Sequence, residues 1–156
     1  MRRNDREVID ENKIDLIINN CDCCRLGFVK NNEAYILPLN FGFENENGKR
    51  LFYFHSATEG KKINLIETQP LVSFELDCAH SLNSGDVACS YSYRFQSVMG
   101  HGNINFVDDL EAKKNALVKI MEHYTSKSDW NFPDDMLKSV CVFCLEVTEL
   151  SCKVHE

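Results

Sequence analysis

The residues with the most chemical potential lie in one run, HSATEGKKINL, from His55 to Leu65. An imidazole, two hydroxyls, a glycine and two adjacent lysines follow the aromatic segment LFYF, in a chain of 156 residues whose formal net charge is -7. Ser56-Ala57-Thr58-Glu59 fits the S-x-x-E capping box, so the spacing predicts a helix that starts where the preceding strand stops. A helix start carries about half a unit of positive charge and free N–H donors. Lys61 and Lys62 in that first turn oppose the helix dipole unless an anion sits among them. The chemistry this suggests is a phosphate cradle of hydroxyls, backbone amides and ammonium groups. The same lysines fit a solvated surface equally well, and a capping box is a common helix start. Neither a Walker loop nor a G-x-G-x-x-G fingerprint is present in the chain.

Cysteine is the other reactive group in quantity: Cys21, Cys23, Cys24, Cys78, Cys89, Cys141, Cys144 and Cys152. Disulfide scaffolds belong to short secreted chains that lack a sufficient core, which favours reduced thiols here. A zinc site built on CDCC and CVFC is the alternative. Against it, SVCVFCLEV reads as a strand, which points Cys141 and Cys144 to opposite faces, and CDCC lacks the usual two-residue knuckle. No metal site is expected. With 17 basic against 24 acidic residues and no basic stripe, the field opposes a nucleic-acid backbone. No apolar run approaches a membrane span and the start MRRNDREVIDENK is charged, so one cytoplasmic domain spanning 1–156, with no membrane or nucleic-acid partner, is expected.

The elements that must position these groups follow from periodicity. Val8, Ile9, Ile14, Ile17 and Ile18 recur at helical spacing after Asn4 and Asp5, which predicts a helix ending near Asn20. CRLGFVK, a turn at Asn31-Asn32 and EAYILPLNFGFE (Glu33 to Glu44) predict a hairpin, and NENGK turns into the strand LFYFH. A short helix (Glu59 to Thr68) precedes the strand Leu71 to Asp77. An extended stretch then runs from Cys89 to Val107, with Gly100 and Gly102 marking a bulge or close backbone approach. Asp108 and Asp109 open a helix through Tyr124, and a strand near Val140 to Val147 closes the chain. The fold class is mainly β with α additions: an antiparallel barrel or curled sheet with flanking helices.

Several segments together resemble the nitroimidazole-resistance (Nim) group of the pyridoxamine 5'-phosphate oxidase-like flavoproteins: MRRNDREV, CRLGFV, YILPLNFGFE, LFYFHSATEGKKINLI, YSYRFQSVMGHG and FCLEVTELSCKVHE, in family order over nearly the whole chain. The resemblance implies a split β-barrel that binds FMN in a groove between the subunits of a homodimer. It places the flavin phosphate on Ser56, Ala57, Thr58, Gly60, Lys61 and Lys62, and the isoalloxazine ring along Pro38, Leu39, Asn40 and Phe41. Strand contacts come from Ser97, Val98 and Gly100, and Trp130 caps the cofactor from the other subunit. His55 matches the family histidine close to the flavin and is the candidate general acid. Each residue also has a plainer reading. Leu39 and Phe41 suit a core, His55 shares strand parity with Leu51 and Tyr53, and Trp130 suits packing. The implied activity is FMN-dependent reduction of a small nitroimidazole or other nitroaromatic substrate. The alternative is a flavin- or heme-binding split barrel without turnover. Pyridoxamine phosphate oxidation itself is disfavoured, because the Arg and His-Asp-Arg elements those oxidases use are missing from VCVFCLEVTELSCKVHE.

Overall fold

In the segment Cys24–Lys30 every second side chain turns inward: Cys24, Leu26 and Phe28 are buried, and Val29 is exposed. The same alternation recurs in Lys49–Ser56 and in the first half of Leu71–Asn83 of the computed structural model, which describes residues 3–156. The strands are β1 (Glu7–Val8), β2 (Cys24–Lys30), β3 (Glu33–Leu39), β4 (Gly42–Glu46), β5 (Lys49–Ser56), β6 (Leu71–Asn83), β7 (Ser92–Phe106) and β8 (Cys141–His155). The helices are α1 (Glu11–Asn19), α2 (Lys61–Thr68), α3 (Leu110–Thr125) and α4 (Asp134–Ser139). All pairings are antiparallel, in the order β3-β2-β6-β7-β8-β5-β4, with β1 against β8. No helix among the described residues is long and apolar enough to cross a membrane.

The inward faces meet in one aromatic core. Phe52 stands within 5.2 to 5.6 Å of the rings of Phe41, Phe43 and Phe74, and Phe54 stacks on Phe143. Tilted pairs of this kind add about 1 kcal/mol each beyond area burial. A second cluster, Ala116, Leu117, Ile120, Leu137 and Val142, packs α3 and α4 over the other face of β5 and β8. Gly100 and Gly102 let β7 lie flush on its neighbours. A Cβ at Gly100 would sit 2.2 Å from the Glu149 carbonyl oxygen, and the β7–β8 register shifts between His101 and Gly102. The expected bulge and the expected close approach are both present.

Several boundaries differ from the sequence reading. The first helix begins at Glu11, capped by Asp10, whose carboxylate accepts from the Asn12 and Lys13 amides. Val8 instead pairs with Cys152 in β1–β8, and Ile9 is 82% exposed. The segment 33–44 is two strands, because the chain breaks at Asn40-Phe41 to send Phe41 into the core. β6 continues through an irregularity between Cys78 and Ser81, with Ala79 at φ 56, and β8 runs on to His155 as the partner of β7. The long extended stretch begins only at Ser92, after a 3-10 turn over Ala88–Ser90.

Arg50 is the one buried charged residue among those described, 6% exposed, and it ties β5 to α1. Its guanidinium lies 2.6 Å from both the Asp15 and the Glu11 carboxylates. Glu11 is largely exposed, which weakens its share of the pair. Arg50→Ala leaves the Asp15 carboxylate with the Asn45 amide as its remaining partner and opens a void, so a loss of about 2 kcal/mol is expected. Denaturant titration at constant m checks it.

The eight cysteines are free thiols. β8 carries Cys141 and Cys144 without a turn between them: Cys141 packs on the main core, while Cys144 lines a groove beside Tyr53. Burial pushes the Cys144 thiol up to about 12 and the Cys152 thiol to about 11. Cys89 is exposed. Brief iodoacetamide treatment near pH 8 is therefore expected to label Cys89 first and to spare Cys21, Cys24, Cys144 and Cys152 until the protein unfolds, as read by peptide mass mapping.

Candidate functional site

The corner after β5 is built differently from a capping box. Ser56 is still strand, paired with Cys141, and its hydroxyl donates to the Ala57 carbonyl at 2.7 Å rather than accepting from a helix amide. Residues 57–60 carry the chain round, and α2 starts at Lys61 behind Gly60, whose φ of 129 suits only glycine. The expected box at Ser56 and Glu59 is therefore not formed, and the helix begins two residues later than expected. The consequence favours an anion. No side chain caps α2, and its first turn holds no acidic residue.

The two lysines diverge. Lys61 Nζ sits 4.3 Å from the centre of the Tyr35 ring, a cation–π contact that holds it toward β3. Lys62 is half-buried on the side of β8. Burial pushes the Cys141 thiol up, against the opposing charges of Lys113 and Lys62 and a hydrogen bond with Ser56, which places Ser56, Cys141 and Lys62 in one neighbourhood. Two hydroxyls at 56 and 58, uncapped amides and two cations are a donor set suited to a phosphate monoester; Glu59 is the one carboxylate in the segment and is exposed.

Pro38, Leu39, Asn40 and His55 line a common cleft of about 300 Å³ with Asp22 and Cys23. Sequence reasoning missed the last two, which follow α1 in chain order and reach the cleft only through tertiary packing. His55 is exposed on the outward side of β5, opposite Val142. Phe41 turns its side chain into the core, 0% exposed, so only its backbone is left for a ligand. Val98 is likewise fully buried, while Ser97 and Gly100 lie mid-strand in β7 between β6 and β8. Trp130, 36% exposed, donates its indole N–H to the Lys127 carbonyl. None of these last four lines the cleft of the same chain.

The end of α3 holds the cleft walls. His123 Nε2–H donates to the Cys21 carbonyl at 2.8 Å, and its ring packs on Phe41. The Tyr124 hydroxyl donates to the Asp22 carbonyl at 2.8 Å and accepts from the Phe41 amide at 3.2 Å. Burial pushes the Tyr124 phenol up, against hydrogen bonds with the Asn40 side chain and the Phe41 amide that pull it down.

Comparison with known proteins shows the family and the fold. A family model for pyridoxamine 5'-phosphate oxidase matches residues 10–154. Among solved structures, a candidate 5-nitroimidazole antibiotic resistance protein from Bacteroides thetaiotaomicron is 33% identical, covering 95% of this chain and 86% of its own, with a TM-score of 0.82. A flavocytochrome from Azotobacter vinelandii shares the fold at 19% identity, covering 100% of this chain and 72% of its own, with a TM-score of 0.81. A FAD- and heme-binding protein from Mycobacterium smegmatis does so at 12% identity, 97% and 74% coverage and a TM-score of 0.82. The comparison with curated proteins returned no match.

Proposed function

Since the chain belongs to the pyridoxamine 5'-phosphate oxidase-like family and has its split-barrel fold, we propose that it is an FMN-dependent oxidoreductase acting on a nitroimidazole or a similar small nitroaromatic. The observation that carries this reading is the pairing of an uncapped, acid-free helix start bearing Lys61 and Lys62 with a cleft lined by Pro38, Leu39, Asn40 and His55. Ser56, Thr58, Lys61 and Lys62 hold the phosphate, and the peptide groups of 38–41 read the polar edge of the ring. When bound, FMN supplies two-electron reduction of an acceptor stacked on its open face. His55, exposed at the cleft rim, holds a proton on its imidazole for the acceptor oxygen. Asp22, Cys23 and Leu39 narrow the space beside it and limit water.

A homodimer belongs to the same proposal. Val29, Ile36, Leu71 and Met99 share the outer face of the sheet and are each more than half exposed, a patch suited to a partner surface. A second copy would also give Ser97, Gly100 and Trp130, remote from their own cleft, a place in a shared groove.

The test is the spectrum of the purified protein, followed by anaerobic NAD(P)H oxidation with a nitroimidazole acceptor. Flavin bands with acceptor-dependent turnover are expected. Flavin bands without turnover under any donor would reduce the protein to a flavin carrier, and a Soret band would assign it to heme.

A further inference from the structure

We propose that Tyr124 is the positioning residue of the cleft, its hydroxyl setting the distance between the wall that carries Asp22 and Cys23 and the wall that carries Asn40. The inference rests on the flavin reading above and concerns the ring end of that site. The two walls leave the sheet where the β2–β3 ladder ends, beyond its last pair Cys24–Leu39: the segment after α1, and the break between β3 and β4. Both are irregular, so their peptide groups lack ladder partners. Tyr124 supplies one on each side, donating to the Asp22 carbonyl at 2.8 Å and accepting from the Phe41 amide at 3.2 Å. His123, one residue earlier on α3, adds a bond to the Cys21 carbonyl at 2.8 Å and packs its ring 4.2 Å from that of Phe41. The hydroxyl is thus one atom shared by both walls, and the helix behind it is anchored through Ala116, Leu117 and Ile120. Removing it frees the peptide that joins Phe41 to the cleft-lining Asn40, while the phenyl ring stays in place against His123.

Tyr124→Phe tests this in the full chain, with the phosphate end as internal control. Affinities for FMN and riboflavin are read by flavin fluorescence, and exchange of the Phe41 amide by NMR in the flavin-free protein, with the β6 amides reporting that the fold is intact. The expected result is a rise in Kd of about tenfold, equal for both flavins because the loss is at the ring, with a changed visible band of the bound flavin and faster exchange at Phe41 alone. Unchanged affinities and band, whatever happens to Tm, overturn the inference and leave a structural tyrosine. A loss confined to FMN, or Phe41 exchange that stays at the wild-type rate, overturns it as well. A wild-type protein that takes up neither flavin overturns the flavin reading and this inference together, whereas wild-type uptake with an unaffected variant overturns the inference alone.

Discussion

The double variant Lys61→Ala, Lys62→Ala is expected to weaken FMN binding about 100-fold while leaving riboflavin binding unchanged. Each ammonium-to-phosphate hydrogen bond contributes about 1.5 to 3 kcal/mol. Lys61 gives up part of its share, since its charge already has the Tyr35 ring at 4.3 Å. About 3 kcal/mol for the pair, or two decades in Kd, is the resulting figure. Riboflavin lacks the phosphate, so it separates a lost charge contact from a damaged cleft. The variant should fold normally, because two cations at a helix start oppose the dipole and their removal relieves it slightly. The wild-type preference for FMN should also shrink as salt rises, since Lys61 is exposed. Equal losses for both flavins would show that the lysines support the fold instead of the phosphate.

His55→Ala is expected to lower kcat with a nitroimidazole about 100-fold and to change FMN affinity little. Proton transfer by a positioned side chain contributes about two decades or more. The imidazole is exposed at the end of β5, outside both hydrophobic clusters, so its removal leaves no void and Tm should hold within about 2 °C. Single-turnover reoxidation of prereduced protein isolates the step. Reoxidation at the wild-type rate would take His55 out of the chemistry and return it to a rim residue.

Local signals placed the hairpins and two of the long helices' ends. Asn31 and Asn32 both adopt positive φ between Lys30 and Glu33, as a two-residue turn requires, and Asp109 accepts from the Ala112 amide to cap α3. The errors fall where a distant partner decides. Val8 looked helical by spacing but pairs with Cys152, a choice made by β8 and invisible within the first twenty residues. The tail of β8 turns Leu150, Cys152 and Val154 to the core between polar neighbours, but too few apolar residues mark it locally, and it is pairing with β7 from Phe95 to Phe106 that extends the strand to His155. YILPLNFGFE carries no breaker at Asn40, and the break is imposed by Phe41 entering the core under His123.

The candidate site divides along the same line. Pro38, Leu39, Asn40 and His55 came from segments quoted in family order, and one cleft joins them. Asp22 and Cys23 were weighed only as part of a thiol cluster and Tyr124 only as a helix end, and no pattern in the chain assigned a role to His123. The bonds that connect them span 83 and 102 residues, which no local period can reveal. The S-x-x-E match misled because a capping box requires the chain to leave the strand at Ser56, while the β5–β8 ladder keeps Ser56 paired with Cys141.

The central claim is that a flavin phosphate rests on the Ser56–Lys62 corner with its ring in the cleft beside His55. A crystal structure of the protein grown with FMN tests it most directly. The account predicts phosphate density within hydrogen-bond distance of the Lys61 or Lys62 ammonium and ring density against Pro38–Asn40; density for FMN elsewhere, with that corner facing bulk solvent, would contradict it.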